Sequence, residues 1–237
     1  MKKLLLLLVV VLLVSIPVFA AKSDILGLVP SATSMDTGVL EVEVGAGDLG
    51  YIEDSIYFTA EVGAFEGLEA GVDVAKNEDG DFEPIFDAKY SYSFNEAGTL
   101  GVGVYNVADG MRAIPYLVYG INVLEDETSS CDLTFGAQIV EGEVNGLAAF
   151  EYAIDAFSLS GAAEFGEYLN YTAEASYAID MFGPYVGIAK AAGEVMEYYF
   201  GTTVDPTEYL SLDLGAAIPE KGNLTTYLAL TFSFQIF

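Results

Sequence analysis

The chain has 237 residues, of which 36 are acidic and 8 basic, giving a net charge of −28, with no His, no Trp and one Cys. Imidazole catalysis is excluded, the thiolate and imidazole cages of zinc and haem cannot be built around a lone Cys131, and so acidic a surface repels phosphate backbones. We expect no enzyme, no cofactor, no metal site and no nucleic-acid partner, yet 53% of the residues are hydrophobic and the two properties must be separated in space.

At the N-terminus, Lys2 and Lys3 precede an unbroken apolar run from Leu4 to Val14, then Pro17-Val18-Phe19-Ala20. This is the pattern of a secretory signal, with cleavage expected after Ala20, and the run is shorter than the roughly 20 residues that span a bilayer. Residues 21–37 then precede the first strand.

From Gly38 onward the dominant period is two. Leu40, Val42, Val44 and Ala46 alternate with Glu41, Glu43 and Gly45, and Ile56, Phe58, Ala60 and Val62 alternate with Tyr57, Thr59, Glu61 and Gly63. The same pattern sets Phe86, Ala88, Tyr90 and Tyr92 against Asp87, Lys89, Ser91 and Ser93, and Leu228, Leu230, Phe232 and Phe234 against Thr231, Ser233 and Gln235. A helix cannot use such a pattern. Strands are predicted near 38–47, 55–64, 67–76, 83–94, 98–108, 112–123, 131–141, 144–155, 157–167, 170–180, 184–192, 195–204, 208–218 and 224–236. That is about fourteen, or twelve if 112–123 and 184–192 are left out because Pro115 and Pro184 remove ladder donors.

Every second connection is compact: Phe65-Glu66-Gly67, Asn95 to Gly98, the longer LEDETSS (124–130), Asp155-Ala156-Phe157, Asp180 to Gly183 and Asp205 to Glu208. EYAIDAF (151–157) and SYAIDMF (176–182) repeat a hairpin turn 25 residues apart, matching two strands of about ten residues plus two connections. The alternate connections, such as 48–54, 76–83 and 219–223, are mostly longer and more acidic. NEDGD (77–81) has Ala75 where a calcium loop requires its first Asp, so it reads as an acidic surface loop.

Ten-residue alternating strands, short turns on one rim and longer loops on the other, and a chain stopping on Phe237 after a strand resemble the bacterial outer-membrane β-barrel family of the small porin or channel type. The resemblance covers the whole mature chain from residue 21 and implies a transmembrane antiparallel up-and-down barrel over 38–237 in the cell outer membrane. It also implies outer-membrane lipid, periplasmic chaperones and the barrel-assembly machinery as partners, with Phe237 as part of the C-terminal assembly signal. The polar residues Gln235, Ser233 and Thr231 depart from the family's usual apolar spacing before that Phe. Barrel lipases and proteases of the family use a His-containing site, which this chain cannot build. Phe94, Tyr152, Phe157, Tyr177 and Phe182 fit an interfacial aromatic girdle.

On the barrel reading the polar phase faces a water-filled lumen and carries Glu41, Glu43, Glu61, Glu69, Asp73, Asp87, Glu151, Glu164, Glu174, Glu197 and Asp213. Lys89, expected to pair with Asp73 or Asp87, and Lys190 stand against them. At about 2.5 Å of height per tilted residue, Asp73, Asp87, Glu174, Glu197 and Asp213 fall roughly 15–20 Å above the short-turn rim. Glu61, Glu69 and Glu151 fall nearer the short-turn mouth. Carboxylate rings favour cations, so the expected function is passive, cation-preferring diffusion of small polar solutes. Two alternatives stay open: an occluded structural or surface-interaction barrel, in which residues 21–37 fold inward as a plug, and a secreted soluble β-protein.

Overall fold

The computed structural model describes residues 24–25, 28–51, 55–76, 80–94, 98–108, 112–191 and 193–236. The expected signal sequence, the expected assembly signal at Phe237 and much of the turns at 77–81 and 95–98 lie outside them. A two-strand ladder of β1 (Asp24–Ile25) and β2 (Val29–Pro30) comes first. Fourteen strands follow: β3 (Val39–Ala46), β4 (Ile56–Phe65), β5 (Leu68–Lys76), β6 (Phe82–Ser93), β7 (Thr99–Val107), β8 (Ile114–Glu125), β9 (Ser129–Val140), β10 (Glu143–Ile154), β11 (Phe157–Phe165), β12 (Leu169–Tyr177), β13 (Phe182–Lys190), β14 (Glu197–Thr207), β15 (Leu210–Pro219) and β16 (Thr225–Gln235). Each pairs antiparallel with its chain neighbours, and β16 closes on β3 from Leu228 opposite Ala46 to Gln235 opposite Val39. The fourteen strands form a closed antiparallel barrel, so the barrel itself has no open strand edge.

Both prolines that blur the sequence pattern sit inside strands, each just beyond one of its two ladders. Pro115 pairs with Val104 of β7, while the β8–β9 ladder begins one residue later at Tyr116. Pro184 pairs with Thr202 of β14, while the β12–β13 ladder ends at Tyr185. The missing N–H therefore points where no acceptor waits. Turn chemistry fixes the registers. Glu141-Gly142 and Asp155 take the left-handed backbone that two-residue hairpins need. Asp126 accepts the backbone N–H groups of Thr128 and Ser129 at 2.9 Å each, which hold its carboxyl below the usual range. The expected turn at Asp205-Pro206 is instead a bulge between Val204 and Thr207, and β14 runs on to a turn at 208–209.

The ladders place every second residue on one face. Phe86, Leu117, Phe135, Val186 and Phe200 all point outward and are exposed. An apolar band of this extent around a closed barrel has lipid as its solvent. The inward face holds Glu61, Glu69, Lys89 and Gln138, each at most 3% exposed.

The segment Leu28–Thr37 lies inside the barrel. Met35 N–H donates to Glu69 Oε2 at 2.6 Å, and Gly38 N–H donates to the Gly63 carbonyl at 2.7 Å. Val29 and Ala32 are buried in a cluster with Tyr105, Tyr116, Val118, Leu147, Ala149 and Ala162 of the barrel wall. These wall residues share one inward face, as the row Gly101–Val118–Gly136–Leu147–Glu164 shows. The expectation that the inward phase is uniformly polar therefore fails on β8, β10 and β11, because a piece of the same chain covers them instead of water. Three wall positions are glycines where the segment passes. A Cβ at Gly63 would run into the Asp36 carbonyl, and Cβ atoms at Gly101 and Gly120 would come within 3.2 Å and 2.8 Å of Ala32.

Two outcomes test this architecture. Leu214→Arg, on the lipid face at mid-strand, should cost about 2–4 kcal/mol and prevent barrel assembly, whereas Thr203→Arg on the lumen side should still give a heat-modifiable folded band. Gly63→Ala should leave the barrel closed but expel the segment, seen as faster cleavage between residues 28 and 37 by a broad-specificity protease in detergent. Unchanged protection would show that the segment is not seated against β4.

Candidate functional site

The inner wall divides by what covers it. Over β7–β11 the segment fills the lumen and leaves a cavity on either side. One, about 670 Å³, lies toward the short-turn rim between Ser31–Thr33 and Thr99, Asp132 and Glu151. The other, about 480 Å³, lies toward the opposite rim and is lined by Tyr105, Gln138, Glu143, Glu164 and Asn170. Glu164 is the anchor here. Its carboxylate accepts from Gln138 Nε2 at 2.6 Å, from Asn170 Nδ2 at 2.8 Å and from Asn145 Nδ2, and Gln138 accepts in turn from the Tyr105 hydroxyl. A carboxylate with three amide donors is satisfied without a cation and holds three strands' side chains in one geometry.

Over β12–β16 and β3–β4 tyrosines line the wall, and the segment reaches this side at Gly63 of β4. Tyr57, Tyr185, Tyr199 and Tyr227 face inward, each with its ring against a glycine of the neighbouring strand: Gly45, Gly201, Gly187 and Gly215. A Cβ at any of these glycines would overlap the ring. The hydroxyls are tied down as well. Tyr185 donates to Asp213 Oδ1 at 2.7 Å, Tyr185 and Tyr227 share a hydrogen bond of 2.6 Å, and Tyr57 donates to Glu43 Oε1 at 2.8 Å. These rings narrow the lumen with fixed, flat side chains, leaving Glu41, Glu43, Glu174, Glu197 and Asp213 half-buried among them.

The third region, β3–β6, is the most acidic. Two adjoining rows cross it: Ser233–Glu41–Glu61–Gly71–Asp87 and Thr231–Glu43–Thr59–Asp73–Ile85. Ser233 donates to Glu41 Oε1 at 2.8 Å and Thr231 to Glu43 Oε2 at 2.9 Å, so β16 hydroxyls satisfy the β3 carboxylates. Lys89 stands directly opposite Glu69, with Nζ 2.9 Å from Oε1, and Glu69 thus joins the wall lysine to the Met35 amide. Height along the tilted strands does not bring Glu69 and Lys89 together; their pairing follows from the β5–β6 register.

Every one of the eleven acids expected on the polar phase lies on the inward register, but they do not form one ring. Glu61, Glu69 and Glu164 are buried, Glu151 is exposed toward the short-turn cavity, and the others are half-buried. Lys190 belongs to the outward register opposite Tyr171, which removes it from the lumen. Asp132 was missed: it shares its face with Thr134 and sits directly opposite Glu151. Its period-two spacing from Thr134 was the available signal. The inward tyrosines carried only a weak one, a Gly in the adjoining strand that no local pattern pairs with its ring. Among the described residues no helix is long and apolar enough to cross a membrane, and no three acidic side chains converge as a metal cage would require.

No family model and no curated protein matches the chain. Among solved structures it is similar to the KdgM porin in complex with disordered oligogalacturonate, with a TM-score of 0.43 and 10% identity over 83% of this chain and 99% of that one. It is also similar to the outer membrane protein OprD from Pseudomonas aeruginosa, with a TM-score of 0.45 and 11% identity over 75% of this chain and 68% of that one. The barrel's closure into fourteen strands rests on the chain's own ladders.

Proposed function

We propose that the protein is an outer-membrane channel through which small polar solutes diffuse passively, with a preference for cations. The observation that carries this reading is the division of the inner wall. The segment Leu28–Thr37 occupies the β7–β11 side, while the tyrosine-lined side keeps five carboxylates, Glu41, Glu43, Glu174, Glu197 and Asp213, half-exposed. Lys89 is the one basic side chain on the inward face of the described strands, and it is committed to Glu69. In a channel narrowed by fixed rings, carboxylates raise the local concentration of cations and exclude anions, and screening is incomplete where little bulk water fits. Delivery through the periplasm by chaperones and insertion by the barrel-assembly machinery belong to the same reading. A second reading, an occluded structural barrel, is favoured by the segment itself, which packs against the inner wall of β7, β8, β10 and β11.

A planar bilayer under a salt gradient separates the two. The wild-type channel should reverse on the cation side, more strongly in dilute salt, where the screening length grows toward about 30 Å at 0.01 M. Changing Glu41, Glu43, Glu174, Glu197 and Asp213 together to Gln or Asn should shrink the reversal potential while a folded barrel still forms. A wild type that inserts but does not conduct would establish the occluded barrel, and anion selectivity would refute the acidic-channel reading.

A further inference from the structure

Glu61, Glu69 and Lys89 meet on the inner face of β4, β5 and β6, and each is at most 3% exposed. Two carboxyl groups and one ammonium share this buried place, so the charges do not cancel if all three are ionised. The hydrogen bonds identify the neutral group. Glu69 accepts Met35 N–H on Oε2 and pairs with Lys89 through Oε1, and its carboxyl is also hydrogen-bonded to that of Glu61. Two carboxylates have no hydrogen to share, so this last bond contains a proton. Glu61 is its holder. Both oxygens of Glu69 face donors, as an ionised carboxylate requires, whereas Glu61 Oε1 has no hydrogen-bond partner among the described residues. The carbonyl oxygen of a neutral acid tolerates that at much lower cost than a carboxylate oxygen does. A neutral Glu61, an ionised Glu69 and Lys89 then sum to zero charge.

The other charged groups around Glu61 oppose a second negative charge. They are Glu41 directly opposite on β3 and Glu43 two residues on, Asp73 diagonal to it on β5, Asp87 in its own row on β6, and Asp36 of the internal segment, whose carbonyl lies over Gly63. The segment is the part that can yield. Each wall strand is held by a ladder on either side, whereas the segment is tied to this wall by Met35 N–H on Glu69 and by Gly38 N–H on the carbonyl of Gly63, two residues from Glu61. We infer that the proton shared by Glu61 and Glu69 latches the internal segment in the lumen, and that its loss to alkaline solution releases residues 33–37 from the wall. With the proton gone, two carboxylates face each other, one charge is left over, and water reaches it when the segment lifts. The seated form binds one proton more than the released form, in which a water-exposed Glu is ionised above about pH 4. Seating is therefore favoured at low pH and lost as the pH rises. The latch controls the segment whether or not the tyrosine-lined side conducts, and so goes beyond the channel reading.

Limited proteolysis of the full-length protein in detergent reads the latch without requiring conduction. Cleavage between residues 28 and 37, divided by that of a denatured sample at the same pH, should accelerate at least about tenfold from about pH 7 to pH 10, since one linked proton gives up to tenfold per pH unit. Return to neutral pH should restore protection. Glu61→Gln keeps a donor toward Glu69 and cannot ionise, so its segment should stay protected across the range. Glu69→Gln leaves one carboxylate for one ammonium and should flatten the profile as well, and it carries the comparison if Glu61→Gln does not fold. A heat-modifiable gel shift confirms the closed barrel for each variant and pH. A wild type whose segment stays protected throughout while the barrel is folded would overturn the latch. So would a wild-type profile retained in Glu61→Gln, which would assign the release to Lys89 or the tyrosines. Release that both substitutions abolish, in a protein that does not conduct, would keep the latch and remove the channel.

Discussion

A closed antiparallel sheet allows each side chain only two destinations, lipid or lumen, and fourteen strands enclose more space than wall side chains can fill. That surplus volume is the constraint on which the rest of the structure depends. The outer face meets it simply, with an apolar band that has lipid as its solvent. The inner face resolves it in two ways: over β7–β11 the chain supplies its own filling, and over β12–β4 tyrosine rings reduce the bore and leave carboxylates half-buried between them.

Glycine makes both solutions work. Gly63, Gly101 and Gly120 leave the wall flat where the segment crosses it, and Gly45, Gly187, Gly201 and Gly215 leave a seat for a ring on the next strand. A glycine in a strand weakens it by lost side-chain packing and by the entropy of a freer unfolded chain. A cross-strand ring laid over the glycine restores that packing, and the phenol hydroxyl, bonded to Asp213 or Glu43, fixes the ring's height. Narrowing the lumen and supporting the sheet are thus the same contact. Rings on flexible stems would leave the bore undefined.

Most of the fold was legible because period-two alternation is local: each strand announces which residues share a face, and fourteen were read at nearly their observed bounds. Pro115 and Pro184 obscured two strands because a proline's cost depends on whether the ladder needs an N–H from that position, which only the register decides. What fills the lumen was not legible. Val118, Leu147, Ala149 and Ala162 interrupt the polar phase only because Val29 and Ala32 arrive there from far away in the chain. Register was equally hidden. Lys89 meets Glu69 because the β5–β6 ladder sets them directly opposite each other, a pairing that heights counted along tilted strands do not reveal. The acids themselves could be put on the inward face from alternation, but which are buried, which are bonded and which meet water depends on the covering segment and the rings.

The closing ladder differs from all the others in kind. Every other pair of neighbouring strands is joined by a turn or a loop, so its pairing costs only a short loop closure, while β3 and β16 are brought together from opposite ends of the chain. Thr231 with Glu43 and Ser233 with Glu41 fasten this seam by side-chain hydrogen bonds as well as by its backbone ladder. The barrel is in effect a strip of hairpins with one zip. Mechanical or thermal opening has its shortest route there, since parting β3 from β16 breaks a single ladder and leaves every hairpin intact. The same opening would bring the carboxylates of Glu41 and Glu43 to the edge of the sheet, toward lipid, and that electrostatic cost keeps the zip shut.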